Sequence, residues 1–378
     1  MIKVTTIVFN NFKHDSRVLK TGMTLLRHGY DVTVVAMHDG DLPIEETVQG
    51  LKVHRLPLKT RQWSKNRFIQ LFKYGEFFYR LVKGHRKSDI FHCNDVAPLP
   101  LAILIKWFFN RKAKVIYDAH ELEFDKKEAS SNYYPQRIIS FAEKTFIKNA
   151  DAMLTVSPLI AKAYVERYKI ESPKIVMNCP PYLRDIPQAD LFRKKFGIAP
   201  EQKIFLYQGG LIAKRGVEIL LEVFKTLDEN FILVFMGYGT LVDLVKTAAA
   251  QYPNIYYHEA VSPMELPKYT ASADVGCVLL QGSSGNHNLT IGNKIFEYIM
   301  AGLPVLAADL AGLRYVLNEH TGIVVKNHHE PVAVKDAVLK IAQWDKKVSL
   351  PYLRDAAKSY NWEAQEQVLL DTYKKLHG

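Results

Sequence analysis

At 378 residues, with 48% hydrophobic and 11% aromatic residues, the chain has the length of two domains and too much apolar content to be disordered. No run reaches the ~18–20 apolar residues of a membrane-spanning helix, and the opening MIKVTTIVFNNF reads as a first strand rather than a signal peptide. The net charge of +11 lies in the first half, where residues 1–185 carry 30 Lys and Arg against 19 Asp and Glu, so an anionic or membrane-bound partner is expected there.

Residues 3–9 form an apolar strand and residues 29–37 a second. Between them, residues 16–28 have helical spacing through Val18, Met23, Leu25 and Leu26. This is the opening of a doubly wound α/β domain. The loop at 10–15 lacks Gly-x-Gly-x-x-Gly, which argues against a dinucleotide-dependent dehydrogenase. Asp39-Gly40-Asp41 is read as a turn before Pro43 rather than a metal-binding Asp-x-Asp, and no metal is assigned. Three scattered cysteines (Cys93, Cys179 and Cys277) show no metal spacing and point to a cytoplasmic setting.

Residues 59–87 hold nine Lys and Arg against one acid, Glu76, interleaved with Trp63, Phe68, Phe72, Tyr74, Phe77, Phe78 and Tyr79. Two readings stay open: a segment at an anionic membrane surface, or an ordinary helix with its aromatics inward. No nucleic-acid motif accompanies the cations, so no nucleic-acid partner is assigned.

Residues 89–93 are a short strand and 98–109 an apolar helix too short to span a bilayer. Residues 113–121, AKVIYDAHE, form a strand that ends in Asp118, His120 and Glu121, at the edge where doubly wound sheets bind ligands. A strand at 152–156 and a helix from Ser157-Pro158 follow. The proline-rich 178–187 is the expected linker. A second domain restarts with a strand at 203–208, a glycine turn and a helix within IFLYQGGLIAKRGVEILLEVF. Strands at 231–236, 255–258 and 271–280 follow, and QGSSGNHN (281–288) reads as a polar loop.

The stretch GNKIFEYIMAGLPVLAA, 292–308, is one unit of helix, turn and strand. Gly302 stands where a left-handed cap is wanted, and Pro304 cannot continue the helix. Asn293, Lys294 and Glu297 share a face near the helix N-terminus, where free N–H groups and the dipole favour an anion. A plain Lys294–Glu297 surface pair fits the same spacing.

This Asn-Lys-Ile-Phe-Glu-Tyr-x-x-Ala-Gly-x-Pro-Val pattern, with Tyr-Asp-Ala-His-Glu at 117–121 and the glycine turn at 209–216, resembles the retaining glycosyltransferases of family 4. The resemblance implies the GT-B fold, α/β throughout. Two doubly wound Rossmann-like domains face each other across a cleft, and a C-terminal helix, from Trp362 to Leu376, crosses back to the first domain. It implies an acceptor-binding domain at 1–180, a nucleotide-sugar domain at 181–358 and the returning helix at 359–378.

For the donor it implies that Glu297 binds the ribose hydroxyls, that the turn at Ile291, Gly292 and Asn293 offers N–H groups to the diphosphate, and that Gly237, Tyr238 and Val261 line the site. In Gly-Arg-Leu-x-x-x-Lys-Gly, the family's first cation is replaced here by Gly210, after Gly209, while Arg215 stands at the second. Arg215 can still clamp phosphate through paired hydrogen bonds; Lys214 or Lys294 would have to replace the missing cation. The family's Glu-x7-Glu loses its first member, since Leu289 stands eight before Glu297, so either the donor-sugar contact comes from elsewhere, with Asn286 and Asn288 as the candidates, or the sugar differs. Asn11 and Arg17 in the first loop, with His120 and Glu121, are the implied acceptor groups. His120 orients a sugar rather than attacks, with Asp118 and Glu121 as partners or helix caps, and His120, Glu297 and Arg215 form the implied catalytic set.

The activity implied is metal-independent sugar transfer with retention, from a nucleotide-diphosphate sugar and with no other cofactor. The acceptor is a sugar or lipid-linked molecule of bacterial surface-polysaccharide synthesis, and the protein is cytoplasmic or peripheral on the inner membrane face. A nucleotide-sugar epimerase on the same fold, or a non-catalytic nucleotide-sugar-binding subunit, are the alternatives.

Overall fold

A computed structural model describes residues 1–13, 15–64, 66–125, 136–281 and 285–377. They divide into two compact units, Met1–Val176 with Ser284–Asn286 and Glu366–Gly378, and Met177–Ser283 with His287–Gln365.

The first unit contains β1 (Lys3–Ile7), α1 (Ser16–Arg27), β2 (Asp31–Met37), β3 (Glu45–Val48), β4 (Leu51–Leu56), α2 (Arg67–His85), β5 (Ile90–Asn94) and α3 (Leu99–Phe108). It continues with β6 (Lys114–Ala119), α4 (Gln136–Phe146), β7 (Ala152–Thr155), α5 (Pro158–Tyr168) and β8 (Lys174–Ile175). The eight strands form one sheet in the order β3-β4-β2-β1-β5-β6-β7-β8, parallel except for β3. β5 is buried at every position, as a strand covered on both faces must be. The strand order reverses between β1 and β5, so right-handed crossovers send α1 to one face and α2, α3 and α4 to the other. Local signals set several ends. Asp15 caps α1 by accepting from the Val18 N–H at 3.2 Å, and Ser157 caps α5 ahead of Pro158.

The β3–β4 hairpin is a departure from the sequence reading, which assigned no strand there. β3 is an edge strand of sequence EETV, partly exposed and without an apolar run. Arg55 on β4 is buried, and donates to the carbonyls of Asn11 at 2.8 Å and Pro43 at 3.0 Å and to Glu46 at 2.5 Å. It thereby ties the loop after β1 to the sheet.

The second unit contains α6 (Leu191–Phe196), β9 (Lys203–Gly210), α7 (Val217–Phe224), β10 (Phe231–Tyr238), α8 (Val242–Gln251), β11 (Ile255–Glu259), α9 (Leu266–Ala271) and β12 (Val275–Val278). After α10 (Gly285–Leu289), whose first two residues belong to the first unit, come α11 (Asn293–Met300), β13 (Val305–Ala308), α12 (Ala311–Val316), β14 (Gly322–Val325), α13 (Pro331–Ala342), α14 (Lys346–Ser359) and α15 (Trp362–Lys375), which belongs to the first unit from Glu366 on. Its six strands are all parallel, in the order β11-β10-β9-β12-β13-β14, reversing between β9 and β12. The core is a continuous apolar cluster from Phe205 on β9 through Phe224 on α7 and Phe235 on β10 to Val338 on α13. The loop expected at 281–288 instead enters α10 at Gly285. α15 passes from the second unit to the first at Glu366, where the Glu366 carboxylate accepts from Thr24 Oγ1 at 2.8 Å and Arg27 at 3.0 Å.

α11 and β13 match the sequence expectation. Ile295, Phe296, Ile299 and Met300 are buried, Gly302 has φ of 70°, and β13 is buried throughout. The helix lies hard against the sheet because β12 carries Gly276. A Cβ there would stand 2.3 Å from the Tyr298 ring, closer than any packed side chain tolerates. Among the described residues, no helix is long and apolar enough to cross a membrane.

Candidate active site

In the second unit the sequence-predicted donor residues gather at the carboxyl ends of β9 and β12, the switch point where doubly wound sheets hold ligands. β9 pairs with β12 only at Phe205 and Leu206, so its last residues need other partners. Tyr298 of α11 supplies one: its hydroxyl donates to the Leu206 carbonyl at 2.9 Å and accepts from the Gln208 N–H at 3.1 Å. The Gln208 side chain then donates to the Glu297 carboxylate at 2.5 Å and accepts from Thr270 Oγ1 at 2.8 Å. A carboxylate only accepts, which fixes which end of the Gln208 amide faces it. Glu297, half-buried, is thus held by a buried chain running back to α9.

Lys294 lies one turn away, its Nζ 3.8 Å from the centre of the Tyr207 ring. Tyr207 in turn donates its hydroxyl to the Gly210 carbonyl at 2.7 Å, which closes the glycine turn. Gly209, with φ of 102°, leaves the room: a Cβ there would come 3.0 Å from Lys294 Cε. Burial, and then the like charge of Arg215, lower Lys294 to about 7 against the pull of Glu297. Arg215 itself is exposed, on a turn that Lys214 enters with φ of 64° and Gly216 leaves with φ of 95°. The Gln281 N–H holds that turn through the Lys214 carbonyl at 2.8 Å.

Gly292 precedes α11 in extended backbone with no side-chain cap, after buried Ile291, and Asn293 is exposed at the first turn. Gly237 and Tyr238 end β10 in register with Gly209 and Gly210; Val261 follows β11, two strands from β9. Asn288 is exposed, and its Oδ1 accepts from the Ala311 N–H at 2.9 Å at the start of α12. Asn286 belongs to the first unit, where its Oδ1 accepts from the Leu122 N–H at 2.7 Å and its Nδ2 donates to Glu121 at 3.3 Å. Two cations, an uncapped helix start and a tethered carboxylate make a site for an anion joined to a polyol.

In the first unit the centre is Asp118, fully buried at the end of β6. Arg17 of α1 grips it with both arms, Nη2 to Oδ1 at 2.6 Å and Nε to Oδ2 at 3.0 Å, while Nη1 donates to the Val176 carbonyl at 2.6 Å. Here the structure corrects the sequence reading. Arg17 is 4% exposed and turned into the sheet, so it is not an acceptor group. Asp118 also faces His92 Nε2 at 3.3 Å, and His92 Nδ1 meets the Tyr373 hydroxyl of α15 at 2.8 Å. An Nε2–H toward the carboxylate, with Nδ1 accepting from the Tyr373 hydroxyl, is the arrangement these partners favour.

His120 Nε2 lies 3.4 Å from Asp118 Oδ2 and its Nδ1 3.9 Å from Asp95 Oδ1. Burial disfavours a charge on His120, but the Asp95 and Asp118 carboxylates outweigh it and raise its pKa. Burial likewise works against charged Asp118, and Arg17 and then His120 overcome it and hold the carboxyl well below the usual range. Asn11 lies in the loop after β1, its Oδ1 accepting from the Lys13 N–H at 3.2 Å. Among the described residues no cluster of three His, Cys, Asp or Glu could hold a metal ion.

Sequence reasoning missed Gln208, Tyr207, His92 and Tyr373. The signal for the first was a glutamine closing an otherwise apolar strand; the others carried none.

Comparison with known proteins supplies the class. Residues 16–180 match the family model described as Glycosyltransferase Family 4, and residues 202–343 match Glycosyl transferases group 1. The chain belongs to the family 4, group 1 glycosyltransferases. It is 22% identical to the putative glycosyltransferase YtcC of Bacillus subtilis over 333 residues, covering 82% of this chain and 74% of that protein. Its fold matches sucrose-phosphate synthase from Thermosynechococcus elongatus with a TM-score of 0.81 at 18% identity, over 100% of this chain and 99% of that one. It also matches Anabaena HepE, solved with UDP and glucose, with a TM-score of 0.74 at 14% identity, over 99% and 100% of the two chains. The architecture is therefore GT-B, two Rossmann-like parallel-sheet domains.

Proposed function

We propose that this glycosyltransferase moves a sugar from a nucleoside-diphosphate sugar to an acceptor with retention and without a metal ion. The observation that carries the reading is the Thr270–Gln208–Glu297 chain beside Lys294 and Arg215 at the start of α11. Glu297 takes the ribose hydroxyls. The N–H groups at Gly292, Asn293 and Lys294, with the Arg215 and Lys294 cations, take the diphosphate. As the bond from the anomeric carbon to the diphosphate breaks, these groups meet the growing negative charge. Lys294, seated against Gly209, stands in for the cation that Gly210 lacks.

The diphosphate is a good leaving group and needs no general acid. The groups around Glu297 leave its carboxylate hydrogen-bonded to Gln208, which suits holding hydroxyls better than attacking carbon. Departure and attack on the same face of the sugar is the route consistent with that. His120, set between the Asp95 and Asp118 carboxylates that raise its pKa, orients a sugar hydroxyl, and Asn11 and Glu121 receive the acceptor.

Donor hydrolysis tests this without knowledge of the acceptor. The protein is incubated with UDP-glucose in excess chelator and the released sugar followed by proton NMR. Release first as the α-anomer supports retention and metal independence; β-anomer, or turnover only with added metal, refutes them. A second reading has one observation in its favour: Gly210 and Leu289 stand where the family pattern that the sequence resembles has a cation and a carboxylate. It is a non-catalytic nucleotide-sugar-binding subunit, which would bind the donor and never turn it over.

A further inference from the structure

We infer that α2, α3 and α4 of the first unit form a surface that docks on an anionic lipid bilayer. Exposed aromatic side chains are concentrated on these helices. On α2, Phe72 is 66% exposed and Tyr79, one heptad on, 65%; on α3, Phe108 is 73% exposed; on α4, Phe141 is 71% exposed. Singly exposed apolar residues mean nothing, but these belong to helices that pack together on one face of the sheet. The Phe78 and Phe109 rings meet edge-on with centroids 6.2 Å apart, joining α2 to the end of α3. Trp107 and Phe146, 5.9 Å apart, join that end to α4.

Charge identifies the partner. The three helices carry two acidic residues, Glu76 and Glu143, and both are turned inward. Glu76 accepts from the N–H groups of Lys59 and Thr60, each at 2.9 Å, and pairs with Arg80 at 2.7 Å. Glu143 is buried and accepts from the hydroxyls of Tyr117, Tyr164 and Tyr168 at 2.5, 2.7 and 2.7 Å. The cations are left outside: Lys83, Arg86 and Lys87 at the end of α2, Arg111 and Lys112 beyond α3, and Lys144 and Lys148 at the end of α4 are exposed. An aromatic face rimmed by cations complements anionic headgroups over an apolar interior. Of the cations in the basic segment, Lys65 lies outside the described residues.

The test is co-sedimentation of the full chain with vesicles of phosphatidylcholine alone or mixed with phosphatidylglycerol. The wild type should sediment with the anionic vesicles only, and less at high salt. Replacing Lys83 and Lys148 by Gln should weaken binding about fivefold for each charge. Phe108→Ser with Phe141→Ser should weaken it about tenfold or more. Both variants expose only surface positions, and thermal unfolding checks that they fold. Failure of the wild type to bind anionic vesicles overturns the proposal. So does binding that heparin abolishes while the Phe variant leaves it unchanged, because the surface would then be a general polyanion site.

Discussion

Lys294 gives the sharpest quantitative consequence. Its pKa of about 7 in the free protein means that it is half charged at neutral pH. A diphosphate placed beside it requires the charged form, so binding should raise that pKa and draw in a proton. The affinity contribution is complete below pH 7 and is lost as pH rises above it, up to the higher pKa of the complex. Between pH 7 and 9 the charged fraction falls about fiftyfold, worth about 2.3 kcal/mol at ~1.4 kcal/mol per tenfold. Nucleotide diphosphate should be titrated calorimetrically across that range, in Tris and in HEPES. The buffer-dependent heat near pH 8 then counts the protons taken up. Lys294→Met should bind more weakly at pH 7 and lose the slope. Flat affinity from pH 7 to 9, with no buffer-dependent heat, would show that Lys294 does not meet the diphosphate.

Glu297→Ala should weaken nucleotide affinity by about 1.5–3 kcal/mol, the scale of a charged hydrogen bond, and should also cost some unfolding stability, because it leaves the buried Gln208 amide without its acceptor. Gln208→Leu should follow in the same direction while also destabilising the unit, since it strips the partner from a half-buried carboxylate; unchanged affinity in both would move the site elsewhere. Asp118→Asn leaves the Arg17 guanidinium buried without its counter-charge and should cost about 3–5 kcal/mol in urea unfolding. Because the Asp118 pKa is depressed, its contribution is present above the ordinary carboxylate pKa and lost as pH falls through the folded value. His120 should titrate by NMR above the ordinary histidine pKa, and Asp95→Asn should lower that midpoint; a midpoint unmoved by Asp95→Asn would refute the charge pairing.

How much of this was legible in the sequence follows the range of each interaction. The unit from Asn293 to Ala308 was readable because its signals are local: apolar spacing, Gly302 at positive φ, and a proline after it. The strand ending in His120 was readable as an apolar run that turns polar. Arg17 was misplaced because spacing puts it on the loop-facing turn of α1, whereas its salt bridge lies 101 positions away. Tyr373 and His92 are 281 positions apart and meet only after α15 has joined the first unit. Gln208 is separated from Glu297 by 89 positions, and only the strand order brings them together. Periodicity shows which side chains of one element share a face, but not which face of another element they will meet.

The central claim, a nucleoside-diphosphate site built by Glu297, Arg215 and Lys294, is tested most directly by metal-free calorimetric titration with UDP, GDP, CMP and ADP on the wild type and Arg215→Ala. The account predicts selective binding of one nucleoside diphosphate that is lost or sharply weakened in the variant. Binding of none of the four, or binding that Arg215→Ala leaves unchanged, would contradict it.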